Sequence, residues 1–139
     1  MTHARSFDIR VRDAADLLGV SDDTVRRWID SGALPAAKDP AGRAVVAGAD
    51  LAAFAREHAR TPDDPTQVAS SARNRLVGLV TQVTSDAVMS EVEMQCGPFT
   101  VVSLMSSRSV AALGIEPGTV AVAVIKATNV IVETPVPET

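Results

Sequence analysis

Residues 61–139 carry only four cationic side chains, and two of them, Arg73 and Arg75, fall in "SSARNRLVG", Ser70 to Gly78, at the mouth of an alternating apolar run. An arginine fork grips a tetrahedral oxyanion through two parallel N–H groups. Its small neighbours Ser71 and Ala72 let backbone N–H groups approach the same anion. Two further positions suit that task. Ser106 begins "SSRSVAALG", and a helix N-terminus favours negative charge. Lys126 closes the otherwise apolar "VAVAVIK". Together Arg73, Lys126 and the Ser106 helix end have the charge to neutralise one dianion. Arg75 reads as a strand-surface charge.

A second cationic set lies in "VRDAADLLGVSDDTVRRWIDSGALPAAKDPAGRAVV". If Val25, Trp28 and Ile29 pack inward from one helix, then Asp23, Thr24, Arg26, Arg27 and Asp30 face outward. Lys38 and Arg43 flank a hairpin tip, and Arg12 opens the preceding helix. Two short helices, a glycine turn and a basic hairpin are the layout that reads DNA, with the second helix in the major groove.

Other chemistry is lacking. There is no Ser-His-Asp set and no phosphate loop, and Glu91 and Glu93 share a solvated strand face, so an enzyme is not expected. The single Cys96 excludes an internal disulfide and a multi-cysteine metal site. His3 and His58 have no partner at metal-ligand spacing, so no metal centre is expected. Met89, Met94 and Met105 read as core filler.

The elements that must hold these residues are legible from periodicity. Val11, Ala14, Ala15 and Leu18 recur at i, i+3, i+4, i+7, and Gly19 ends that helix. Ser21 caps the next helix, with Asp22 and Asp23 at its positive end, and Gly32 stops it. Pro40-Ala41-Gly42 turns between two short extended arms, and a third helix spans roughly 49–59. "RTPDDPTQVASS" then has no period at all and reads as an exposed connection. Beyond it the period is two: strands over 75–86, 87–96 and 99–105, a short capped helix ending at Gly114, and two strands broken near Thr128-Asn129. Five strands and one helix fit a small OB-like barrel.

Composition agrees with a division. The chain has 139 residues and a net charge of −4; residues 1–60 hold nine Lys/Arg and nine Asp/Glu, and residues 61–139 hold four and eight. With one Trp, three Phe and no Tyr, the core must be mostly Val, Ala and Leu, which favours oligomerisation. No apolar run is long enough to span a bilayer and no signal peptide opens the chain, so a cytoplasmic protein with no membrane partner is expected.

Two resemblances refine this. Ala14-Ala15, Leu18-Gly19-Val20-Ser21, Thr24-Val25-Arg26-Arg27-Trp28, Gly32-Ala33-Leu34 and Gly42-Arg43 resemble the winged helix-turn-helix of the MerR and excisionase families. That likeness implies Thr24, Arg26 and Arg27 at or near the groove and Arg43 on the wing. "SARN" and "LGIEPGTVAVAVIKATNVIV" resemble the Mop (TOBE) domain, the molybdate- and tungstate-binding module of bacterial regulators, transporter ATPases and storage proteins. This implies that Ser71, Ala72 and Arg73 contact the oxyanion from one subunit. It places Ser106 where the family offers a hydroxyl, and it makes Lys126 and the backbone of Ala127 complete the site. It also implies sites between Mop units, in a hexamer built as a trimer of dimers or, less favoured, a dimer.

The expected architecture is therefore an α+β two-domain chain: a small, mainly α-helical winged helix-turn-helix domain at 1–60, a linker at 61–69, an OB-like five-stranded β-barrel at 70–135 and a tail at 136–139. The expected function is a molybdate- or tungstate-binding, DNA-binding transcriptional regulator of molybdenum homeostasis. The alternative is an oxyanion storage or buffering protein whose first domain serves assembly. The neutral charge of residues 1–60 and the Asp22-Asp23 pair favour that alternative, since strong nucleic-acid binders usually carry excess positive charge.

Overall fold

The structure, a computed structural model, describes residues 7–136, and two units divide between Arg60 and Thr61. His3 and the end of the expected tail, residues 137–139, lie outside the described residues.

The first unit begins with a strand that is too short to show a period, β1 (Asp8–Arg10), and leads directly into α1 (Val11–Leu18). Helix α1 ends where the helical spacing stops, at Gly19, whose φ of 67° is the left-handed conformation that glycine adopts without strain. Helix α2 (Asp22–Asp30) is capped by Ser21, whose hydroxyl accepts from the backbone N–H of Thr24 at 3.2 Å. Strands β2 (Ala37–Lys38) and β3 (Ala44–Ala47) form the hairpin, and α3 (Gly48–His58) follows. The sheet order is β1-β3-β2, all antiparallel, so the unit is less purely helical than its sequence suggests. Val11, Ala14, Ala15, Val25, Leu34, Val46, Leu51 and Phe54 make the core. Trp28 and Ile29 are partly buried against it. Removing Val25 wholly from water contributes about 1.5–3 kcal/mol. Trp28 meets Phe54 with ring centroids 4.8 Å apart, and His58 stacks on Phe54 at 3.9 Å.

The second unit contains β4 (Asn74–Ser85), β5 (Met89–Cys96), β6 (Phe99–Ser106), α4 (Ser107–Leu113) and β7 (Val120–Ile125). They form one antiparallel sheet in the order β6-β5-β4-β7. Val80, Val92, Met94 and Cys96 are its buried core, while Met105 is half-buried and Met89 is exposed. Gly78 lets β4 and β5 close on each other: a Cβ there would collide with the Gln95 carbonyl and come within 2.7 Å of the Cys96 sulfur. Ser90 is the buried polar residue, and its hydroxyl is satisfied by Ser85 at 2.7 Å and Ser107 at 2.8 Å.

One expectation fails here. The run Val130–Glu133 was expected as a fifth strand closing the barrel, but among the described residues the sheet has four strands and is open between β6 and β7. The run is extended and β-branched, yet a strand exists only through its pairing. A 3-10 turn over Ala127–Asn129 takes the chain off the line of β7, and the run meets no sheet edge of its own chain. Among the described residues no helix is long and apolar enough to cross a membrane.

Candidate oxyanion and nucleic-acid sites

The register of β4 and β7 decides where the "SARN" residues lie. Asn74 pairs with Ile125, and its amide donates to the Ile125 carbonyl at 3.1 Å. The next positions outward are Arg73 and Lys126, so these two cations stand together at the open end of one ladder. Both are exposed, and among the described residues neither has an ion-pair partner within 4.0 Å. Ala72 is buried, and its N–H donates to the Ser70 hydroxyl at 3.1 Å, which folds the segment into a turn beside the ladder end. Ser71 is exposed. Ala127 begins the 3-10 turn, so its backbone N–H lies next to Lys126. Asn74 had no assigned role in the sequence reading; its neighbour in "SARN" drew attention, while Asn74 itself pins the two strands that carry the cations.

Ser106 does not join them within one chain. It pairs with Met89 at the far end of β5, beside Ser85 and Ser90. Strand β4 has 12 residues, so its two ends are separated by about 36 Å of strand at about 3.3 Å per residue. Ser106 caps α4: its hydroxyl accepts from the Ser109 N–H at 3.1 Å and shares a bond with the Ser109 hydroxyl.

Arg75 is more than a bare surface charge. Its guanidinium donates to Asp64 at 2.8 Å and to the Thr66 hydroxyl. The Arg75 bond, helped by donors from Thr66, lowers the Asp64 carboxyl to about 2. Part of the expected linker is thus fastened to β4.

In the first unit, Arg10, Arg12, Arg26, Lys38 and Arg43 line one notch of about 310 Å³. Five of the unit's nine Lys/Arg side chains meet there, against one of its nine Asp/Glu, Asp22. A unit of zero formal charge therefore has a segregated positive face. The wing tip is ordered by Asp39, whose carboxylate accepts from the backbone N–H groups of Ala41 and Arg43 and from the Arg43 guanidinium at 3.1 Å. Those bonds, led by the Arg43 N–H, hold the Asp39 carboxyl below its usual range. Thr24 and Arg27 lie outside the notch. Arg27 donates to the Thr24 hydroxyl at 3.1 Å, and that hydroxyl also meets Ser21 at 2.9 Å. Arg10 escaped the sequence reading because β1 is three residues long; its only signal was the alternation Asp8-Ile9-Arg10.

Comparison with known proteins agrees with this division. A helix-turn-helix domain model matches residues 9–59, and a TOBE domain model matches residues 70–132. The chain joins a helix-turn-helix domain to a TOBE domain. Neither is an enzymatic family. The TOBE region is similar to a molybdate binding protein from Sporomusa ovata, at 30% identity over 48% of this chain and 100% of that one, with a TM-score of 0.47. It is similar to MopII from Clostridium pasteurianum, at 34% identity over 48% of this chain and 100% of that one, with a TM-score of 0.45. It is also similar to the cytoplasmic molybdate-binding protein ModG, solved with molybdate bound, at 40% identity and a TM-score of 0.49. That match covers 52% of each chain, so this chain spans about half the length of ModG. No curated protein matches.

Proposed function

We propose that this protein is a cytoplasmic, molybdate- or tungstate-responsive DNA-binding regulator of molybdenum homeostasis. The observation that carries the anion half is Arg73 and Lys126 at one ladder end, without an ion-pair partner among the described residues and flanked by the backbone of Ser71, Ala72 and Ala127. Two adjacent cations suit a tetrahedral dianion, and neighbouring backbone N–H groups can add to them. Ser106 comes from a second copy, since it lies at the other end of its own sheet. The site is therefore complete only in a homo-oligomer, with a hexamer as a trimer of dimers preferred over a dimer.

The DNA half rests on the segregated cations of the first unit. Arg12, Arg26, Lys38 and Arg43 face backbone phosphates, while Thr24 and Arg27 lie toward the groove on α2. One copy with five such cations, of which Arg43 is already paired with Asp39, and with Asp22 beside them binds weakly, and assembly multiplies it. The anion regulates if it favours one arrangement of the assembly over another.

Duplex DNA binding measured by anisotropy at low salt, with and without molybdate, tests both halves. Equal affinity in the two conditions refutes sensing. The Asp22-Asp23 pair at the start of α2 favours the storage alternative. Molybdate binding with no salt-sensitive DNA binding at all is the result that establishes it.

A further inference from the structure

Most of the expected linker, residues 61–69, is not free chain. The Arg75 Nε donates to the Asp64 carboxylate at 2.8 Å, and its Nη2 donates to the Thr66 hydroxyl. That hydroxyl in turn donates to Asp64 at 2.6 Å, and the Thr66 N–H donates to the same carboxylate at 2.8 Å. The three residues therefore close a ring in which each donor has its acceptor. A lone exposed ion pair holds little, whereas a hydrogen-bonded network of this kind holds more. The Arg75 and Asp64 side chains are 24% and 34% exposed, so the ring is partly shielded from water. Pro65 lies between the two anchors with its φ already fixed, and less chain freedom is lost in forming the turn. Thr66 also borders the apolar cleft of the sheet with Val124 and Ile125, a second sign that this segment lies against the second unit. On the other side, Arg60 borders a cleft of the first unit with Trp28 and Phe54. Residues 61–63, all exposed, are what remains between these two anchorages.

We infer that Arg75 and Asp64 set the separation between the half-sites that two DNA-binding units of one assembly can occupy, by holding each tether to residues 61–63. This rests on the reading of the first unit as a DNA binder that acts in two or more copies. An extended chain spans at most about 3.3–3.6 Å per residue. Release of the ring frees residues 64–69, six more residues, and lengthens each tether by up to about 20 Å. Two tethers then gain up to about 40 Å, which exceeds the roughly 34–36 Å of one DNA turn. With the ring closed, half-sites one turn further apart are out of reach; with it open, they come within reach. Arg75 thus discriminates among DNA sites without touching DNA, and it does so from the strand that leads away from Arg73.

Two measurements on the full chain test this. Amide nitrogen relaxation without DNA or oxyanion is expected to give order parameters below about 0.6 for residues 61–63 and about 0.85 for residues 64–66. In Arg75→Gln the low values are expected to extend through residue 69, with β4 unchanged. Selection from a random-sequence duplex library is expected to give the parental chain paired half-sites at one separation. Arg75→Gln is expected to select the same half-sites at that separation and also at one about 10 bp longer. Should Arg75→Gln lose its far-UV β signal, Asp64→Asn, which lies outside the sheet, takes its place with the same expectation. Residues 64–66 as mobile as 61–63 in the parental chain, or a freed tether that keeps the single separation, overturn the inference. A parental chain that selects no paired half-sites refutes the paired DNA reading and this role with it, whereas an unchanged separation refutes this role alone.

Discussion

Arg10→Ala is the most informative single change in the first unit. Arg10 lines the notch, and among the described residues it has no acidic partner, so truncation orphans no carboxylate. Its role in β1 and at the start of α1 is made by backbone and survives the loss of the side chain. If the guanidinium neutralises one DNA phosphate, it releases about 0.9 counterion, and the log–log salt slope should become shallower by about 0.9. At 0.1 M salt one such contact is worth about 10^0.9, or roughly an eightfold change in affinity. Removing Arg10 and Arg12 together should cost about 60-fold and about 1.8 in slope, if the two act independently. Anisotropy titrations of a random-sequence duplex across a salt series measure both quantities. Arg56→Ala, on α3 and outside the notch, is the control. An unchanged slope for Arg10→Ala, or an equal change for Arg56→Ala, refutes the assignment of the notch to a phosphate.

Three further outcomes are expected. Arg73→Ala should weaken molybdate binding by about a hundredfold or more, the loss of two charge-assisted bonds, while Arg75→Ala should leave it little changed; calorimetry showing equal losses contradicts the site. Gly78→Ala should destabilise the second unit by about 3 kcal/mol, because the new methyl meets backbone and sulfur that cannot withdraw without parting β4 from β5; an unaltered Tm would show that the strands relax. The Asp64 carboxyl should titrate near 2 by NMR and return toward 3.8 in Arg75→Gln. Its depressed value means that the link to β4 is fully present above about pH 4 and is lost as the pH falls through about 2; a midpoint insensitive to Arg75 rules that cause out.

Local signals were the readable ones. Gly19 and Gly114 terminate α1 and α4 with φ of 67° and 64°, and Ser21 and Ser106 cap α2 and α4, because each of these acts within a few residues of its own position. Val25 lies wholly inside, with Trp28 and Ile29 beside it, as helical spacing requires. What stayed hidden depends on pairing across the chain. Three residues of β1 make no pattern, so Arg10 was missed. Val130–Glu133 has the composition of a strand, but composition does not reveal whether an edge is within reach. Arg73 and Lys126 are 53 positions apart in sequence, and only the β4–β7 register makes them neighbours. The same register logic sends Ser106 to the other end, which no motif records. Arg75 looked idle because Asp64 and Thr66 sit in a stretch without period.

Trp28 has a practical consequence. It is the chain's one indole, no tyrosine accompanies it, and it lies in the first unit against Phe54 and near His58. Emission excited at the indole therefore reports the surroundings of Trp28 in the first unit. A spectral change on adding oxyanion would be a message received in the helix-turn-helix unit, recorded without any label.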